Sequence, residues 1–468
     1  MKKLIIAVLA MLSVVSTYAD NKVKDTKFRR SSLYVLKMDI PKDKEVYQQA
    51  LELIDATYDT LAVPDAYNDF NLATRHIDYP SLPSVTQEEM DKYKKGGKGG
   101  GFGKFAKGLG NMALGTVTGA VGAPNVTIGA GPSEEEYVAK LMNWFEADGT
   151  ANKLVAKWHN KKGVDPATFD CDDNLELLAE LGLVGLSEED KDRITQAGGS
   201  LVSAAKDNEV DVIGNTYIVV NRFGFVSGDE IFKEVSAPIM AQLSNASPLV
   251  ALGLQKTLDI MRKKYATGYF VRAYAYLFQL QYEEAEYNGF YENHWGKPDA
   301  FKQAKYTLKY VGKSKGRARA RKADDGNVIS VALRRAMDKC YADLQHDNEQ
   351  FRPMAALHAS DDGTKLFAYV GAKEGVTEKS VFDVFESQID KNGKQEFKKV
   401  GSLKIEKGQV WDNRAGAKEA ANAEDDSDEG GDDKKEKGGG KADPNLEYTT
   451  FQGKPGKLGD GNLIRLAK

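Results

Sequence analysis

The chain is 468 residues long, with 41% hydrophobic and 29% charged residues and a formal net charge of −4. That length exceeds one ordinary domain and suggests two to four; two cysteines are far too few for a disulfide scaffold. A charge so close to zero supplies no global field to attract nucleic acid, so no nucleic-acid partner is expected.

Lys2 and Lys3 precede an apolar stretch from Leu4 to Val15, and Thr17 and Ala19 stand at −3 and −1 of a small-x-small cleavage pattern. Residues 1–19 read as a cleavable secretory signal peptide, because the stretch falls well short of the roughly 20 residues a spanning helix needs. The mature chain is expected to begin at Asp20 and to work in the periplasm, at the outer membrane or beyond the cell. No Cys follows the apolar run, so a lipoprotein is not expected. Removing Lys2 and Lys3 takes the charge to −6, and Glu424–Glu436, with eight acids and two lysines, carries −6 by itself. The rest of the surface is therefore near neutral.

Residues 20–93 read as an N-terminal α/β segment, with a strand over Ser32–Asp39 and an amphipathic helix over Lys44–Leu61. Residues 94–131 are glycine-rich and read as a linker or a membrane-touching segment. The candidate membrane contacts there are Phe102, Phe105 and Leu109, with Gly115 and Gly119 four apart as at close helix contacts. A central α+β domain is expected over 132–350. It opens at a Ser133–Glu136 capping box, followed by helices over 151–159 and 174–181. The run from Val210 to Phe225 reads as strand, and Pro248–Lys264 as helix. In the strand Tyr269–Tyr282, Phe270, Tyr274, Tyr276, Phe278, Leu280 and Tyr282 share one face and Val271, Ala273, Ala275 and Leu277 the other. Tyr306–Val311 reads as strand, and Asn327–Leu344 as a helix with Ile329, Leu333, Ala336, Met337, Cys340 and Leu344 on one stripe.

Residues 351–468 read as a C-terminal β domain. Its strands are expected at 365–370, 380–385, 399–405, 409–412, 448–451 and 462–466, interrupted by an acidic, disordered insert over 415–445. The expected fold class is thus α+β and multidomain, mixed α/β N-terminal and central regions followed by a small C-terminal β-barrel or sandwich.

Most motifs for chemistry fail on inspection. Gly103-Lys104 is followed by Phe105, and Lys98 stands where a phosphate loop needs its first Gly. Asp425, Ser427, Glu429, Gly430 and Glu436 have calcium-loop spacing, yet Asp432 holds the usual apolar position and no amphipathic helix flanks them. The five histidines are scattered, and no nucleophile elbow is present. No catalytic residue, cofactor or metal ligand is expected. The aromatic run Tyr287–Trp295 reads as core packing rather than a sugar platform. Cys171 lies in a polar turn and Cys340 on an apolar helix face, which favours two separate thiols.

The one concentrated basic patch, Lys313–Lys322, offers Lys313, Lys315, Arg317, Arg319 and Arg321 as an anion- or polymer-binding set. Its plain reading is a solvated loop or a charge-guarded edge strand. The expected function is a non-enzymatic envelope protein that scaffolds or binds an envelope protein or polymer, with peripheral membrane contact as an option. The alternative is a carbohydrate-active or other secreted hydrolase using a carboxylate pair.

The blocks Arg30–Ile40 (RSSLYVLKMDI), Val63–Asp69, Val155–Lys161, Val212–Asn221 and Leu308–Gly312 resemble an exported family common in Bacteroidota. So do Lys373–Glu386, Lys399–Arg414 and Gly461–Leu466, in the same order. The resemblance implies lineage and compartment and carries no activity. From Ala356 onward the pattern is also similar to the last domain of flagellar and curli envelope assembly proteins, a likeness of fold alone.

Overall fold

In a computed structural model, the residues described are 31–39, 47–94, 132–159, 208–389, 395–422 and 442–467. The run SLYVLKMD forms β1 (Ser32–Asp39), buried at every position but the last. Such continuous burial belongs to a strand covered on both faces. Helix α1 (Gln48–Asp59) follows and buries Ala50, Ile54 and Tyr58 at fourfold spacing. The short strands β2 (Asn68–Asp69) and β3 (His76–Asp78) both pair with β1 in parallel. A Thr86–Glu89 capping box opens α2 (Gln87–Asp91).

The hydroxyl of Ser133 accepts from the Glu136 amide at 3.1 Å and caps α3 (Glu134–Asp148). The Glu136 carboxylate does not complete the expected box. It takes Lys140 at 3.1 Å and the Tyr79 hydroxyl at 3.2 Å instead, so Ser133 caps alone. Gly149, at φ 66°, ends α3 in the left-handed conformation, and α4 (Thr150–His159) begins at once.

The run expected to be strand from Val210 divides in two: α5 (Glu209–Gly214), then β4 (Thr216–Ser227). A helical turn lets Val212 and Ile213 enter the core, and Gly214 abuts the Tyr282 carbonyl, where a Cβ would stand 2.9 Å away. Helices α6 (Gly228–Leu243) and α7 (Pro248–Tyr265) form a hairpin that leads into β5 (Tyr269–Gln281). Short helices α8 (Glu284–Gly289) and α9 (Pro298–Phe301) precede β6 (Thr307–Ala320), and α10 (Gly326–Asp347) crosses back over the sheet.

The strand order is β2-β1-β4-β5-β6, with β3 also on β1, so the N-terminal segment and the central region share one sheet. β1 and β4 run parallel, and β4, β5 and β6 antiparallel. The alternation of β5 sorts two cores. Tyr276, Phe278 and Leu280 meet α3 and α4 on one face, whereas Val271, Ala273, Ala275 and Leu277 meet α1 and α10 on the other. The expected α10 stripe, Ile329, Leu333, Ala336, Met337, Cys340 and Leu344, is buried throughout.

The C-terminal strands are β7 (Ala355–Ala356), β8 (His358–Ala359), β9 (Leu366–Ala368), β10 (Val381–Ile389) and β11 (Gln395–Lys404). After α11 (Ala417–Asn422) come β12 (Thr449–Phe451) and β13 (Leu463–Leu466). They make two sheets, β11-β10-β13-β7 and β12-β9-β8, around Leu357, Val384, Leu403, Ile405, Phe451 and Ile464. No closed barrel is present among the described residues. The segment 409–412, expected as a strand, contributes only bridges from Trp411 to Gly371 and Asp443. Of the expected acidic insert, 423–441 lies outside the described residues.

Arg352 joins the two parts. Its Nε and Nη2 donate to the carbonyls of Gln345 (3.0 Å) and His346 (2.8 Å) at the end of α10, and its Nη1 to the Leu466 carbonyl at 2.7 Å. One guanidinium thus satisfies carbonyls that a helix end leaves open. The described chain is mixed α/β with several sheets, and none of its described helices is long and apolar enough to cross a membrane.

Candidate anion-binding face

The basic run does not lie in a loop. β6 continues through it to Ala320 and stands at the end of the strand order, with β5 as its ladder partner. Alternation then sorts the side chains. Ser314, Gly316 and Ala318 turn toward α10, and a Cβ on Gly316 would stand 2.0 Å from the Ala336 carbonyl oxygen. Lys313, Lys315, Arg317 and Arg319 therefore share the other face. Arg321 lies past the end of the strand and is exposed.

Register brings further residues to them. Lys315 pairs with Tyr274, which pairs with Arg222; Arg317 pairs with Arg272, which pairs with Gly224. Arg222, Arg272, Lys313, Lys315, Arg317 and Arg319 thus line one sheet face, although the first two lie far away in sequence. Tyr274 forms the floor, with the Arg222 guanidinium 3.8 Å and the Lys315 ammonium 5.3 Å from its ring centroid. Each contact stabilises a cation by the ring's quadrupole. Gly224 leaves the floor bare: a Cβ there would meet nothing within 4 Å.

Three carboxylates rim this face. Glu134, at the start of α3, accepts from Arg222 at 2.8 Å and from the Tyr276 hydroxyl at 2.5 Å. Glu135 lies 3.7 Å from Lys313. Glu234, on α6, accepts from Lys315 at 2.7 Å and from Arg272. These carboxylates pair with Arg222, Arg272, Lys313 and Lys315. These four cations expose only 14–33% of their side chains, so the field they set up is less screened than on an open surface. Nε of Arg222 and Nε of Arg272 are buried donors without a partner among the described residues.

The charge states follow from these neighbours. Burial works against the Arg222 cation, but Tyr276, Glu134, Tyr137 and Tyr274 outweigh it and hold the guanidinium above its ordinary pKa. Burial likewise works against ionised Glu234, and Lys315 and Arg272 outweigh it, holding the carboxylate below its ordinary value. Arg222 and Glu234 therefore keep their charges through the neutral range.

Elsewhere, the aromatic run packs inward, as expected. Phe290 is fully buried with the His159 ring stacked on it at 4.0 Å, and Tyr291 donates to the buried Glu209 carboxylate at 3.0 Å. A shallow hollow lined by Lys92, Tyr93, Met142, Lys309 and Tyr310 has no Asp or Glu in its lining, and so offers no acid–base pair. Lys37, Asp39, Asp55, Asp59 and His76 form an ion-pair cluster clamping β1, β3 and α1, with His76 2.8 Å from Asp59 and 3.1 Å from Asp39. No group of three or more His, Cys, Asp or Glu side chains suited to a metal ion occurs among the described residues.

Cys340 is a free thiol buried between α10 and β5, and burial pushes its pKa up to about 12. Cys171 and the candidate membrane contacts Phe102, Phe105, Leu109, Gly115 and Gly119 lie outside the described residues. Arg222, Arg272 and Gly224 were not singled out by the sequence, and Tyr274 only as a strand-face residue; the one signal for the face was the strict alternation of basic and small residues from Lys313 to Ala320, which marks a strand with a charged face. No protein-family model matches this chain, and no curated protein is similar to it in sequence.

Proposed function

We propose that this chain is an exported, non-enzymatic envelope protein, periplasmic or associated with the outer membrane. It belongs in this reading to the Bacteroidota family that its sequence blocks resemble, and it binds an anionic envelope polymer through the sheet face around Gly224. The observation that carries the reading is the register: six cations from three strands converge on one sheet face with an aromatic floor and an open glycine. An edge strand needs charge only to deter pairing. It does not need Arg222 and Arg272, which sit on inner strands and reach the same face through strand register. The ligand chemistry that fits is a phosphate or carboxylate series, since guanidinium forks donate paired hydrogen bonds to either. The two C-terminal sheets are read as a small sandwich with a scaffolding role.

Titration with inorganic polyphosphate, a polyuronate and neutral dextran tests this. Both polyanions are expected to bind, more weakly as salt rises, and dextran not at all. The Lys315→Gln/Arg317→Gln variant should lose most of the polyanion affinity while keeping its melting temperature. Undiminished binding by that variant, or no binding by the native protein, would overturn the proposal. Stronger binding of one polyanion names the anionic group.

A further inference from the structure

Helices α6 and α7 leave the sheet at the end of β4 and return at the start of β5. Only the base of this hairpin is well packed, by Ile231, Phe232 and Val235 against Met261, Tyr265 and Phe270. From Val235 to Gln255 the sequence contains no Asp, Glu, Lys, Arg or His. Five of the seven exposed large apolar side chains among the described residues lie on this hairpin: Met240, Leu249, Val250, Leu252 and Ile260. Leu249 is 82% exposed and Ile260 67%. Single exposed apolar residues are ordinary, but a concentration on one element marks an interaction surface.

The spacing on α7 identifies what that surface meets. Leu254, Met261 and Tyr265 face the protein. Leu249, Leu252, Lys256, Ile260 and Lys263 follow one another at three- and four-residue steps, so they form one outward stripe. Arg262 and Lys264 flank it, and Asp259 is the only acid on the helix. An apolar stripe carrying lysines is the pattern of a helix lying in a membrane interface, where lysine stems cover apolar surface while the ammonium groups reach the headgroups. We propose that the α6–α7 hairpin docks on an anionic lipid bilayer. The tip and the Leu249–Ile260 stripe enter the headgroup–acyl boundary, and Lys256 and Lys263 contact lipid phosphates.

Charge complementarity selects this occupant over a second copy. An isologous contact would bring together two copies of a stripe that carries two lysines and no carboxylate, whereas anionic headgroups oppose them with negative charge. The hairpin is too polar at its base to span the bilayer, so it rests on it. The proposal uses the hairpin's own residues and does not depend on polymer binding at the sheet face.

Flotation of the full chain with phosphatidylcholine vesicles, with and without about a third phosphatidylglycerol, tests it. The protein is expected to float with the anionic vesicles only. Leu249→Gln/Leu252→Gln and Lys256→Gln/Lys263→Gln should each lower partitioning by about tenfold or more. Leu249→Trp adds a reporter at an exposed position, which folding does not depend on. Its emission should shift to the blue on anionic vesicles and be quenched by acyl-brominated lipid. The same shift in a chain also carrying Lys315→Gln/Arg317→Gln keeps this result separate from polymer binding. Absence of flotation, or full binding by Leu249→Gln/Leu252→Gln, would overturn the proposal. A concentration-dependent dimer that this variant abolishes, without vesicle binding, would do so in favour of a second copy.

Discussion

Gly224 and Gly316 lie on opposite faces of the same sheet and answer to opposite constraints. Gly316 lets β6 approach α10 so closely that a Cβ would stand 2.0 Å from the Ala336 carbonyl oxygen and 3.1 Å from the Cys340 sulfur. A backbone carbonyl in a helix has little room to yield, so Gly316→Ala is expected to destabilise by about 3 kcal/mol, at the upper end of overpacking costs. Gly224 has open space above it. Gly224→Ala should change stability by under about 0.5 kcal/mol, like other surface substitutions. Urea unfolding of the two variants checks both. Equal losses would mean that Gly224 is also a packing residue and not the floor of an open site.

At the scale of elements, the α6 cap is a measurable joint. Ser227 accepts from the Glu230 amide at 3.3 Å, and the Glu230 carboxylate accepts from the Ser227 amide at 3.0 Å and the Tyr47 hydroxyl at 3.0 Å. Ser227→Ala should cost about 1 kcal/mol, with faster hydrogen exchange confined to the first turn of α6. Uniform acceleration along the hairpin would contradict a local role. This helix illustrates what the sequence hides. Ser227-Gly-Asp-Glu230 is a capping signature, but the β-branched run before it dominates the window and Pro238 breaks the helical pattern after it. By contrast, β5 was legible to within one residue, since the strand expected to Tyr282 ends at Gln281, because its two faces pack against different cores and each keeps its own period. β6 was legible only as far as Val311. Beyond it the apolar partner of each basic residue is Ser, Gly or Ala, small enough for α10 to approach and too small to signal a strand. The candidate site was half legible for the same reason. Its β6 residues are contiguous in sequence, whereas Arg222, Arg272 and Tyr274 reach it only through strand register.

Across the whole molecule, α10 connects the large sheet to the C-terminal strands, and Asp338 lies at that junction. Burial raises its carboxyl to about pH 6, with Lys373, Arg334 and Arg335 opposing the rise and Glu374 adding to it. The sign follows from linkage. An unfolded Asp ionises near pH 4, so between about 4 and 6 the unfolded chain releases a proton that the folded chain keeps. Stability from this group is complete below that window and lost as pH rises through it. Asp338→Asn should therefore stabilise at pH 8 by up to about 3 kcal/mol, a gain that vanishes by about pH 4. Melting curves at both pH values check it; an equal gain at both would contradict the titration.

The same molecular end carries both proposed contacts. Glu234 of α6 holds Arg272 and Lys315 of the sheet face, and Arg317 sits 5.1 Å over the Tyr265 ring of α7. A lipid-resting hairpin would thus present the basic face beside the membrane. Polyphosphate titration of Gly224→Glu tests the central claim most directly, because it puts a carboxylate into the floor at a position where a Cβ meets nothing within 4 Å. The account predicts loss of polyphosphate binding with an unchanged melting temperature. Binding equal to that of the native protein would contradict it.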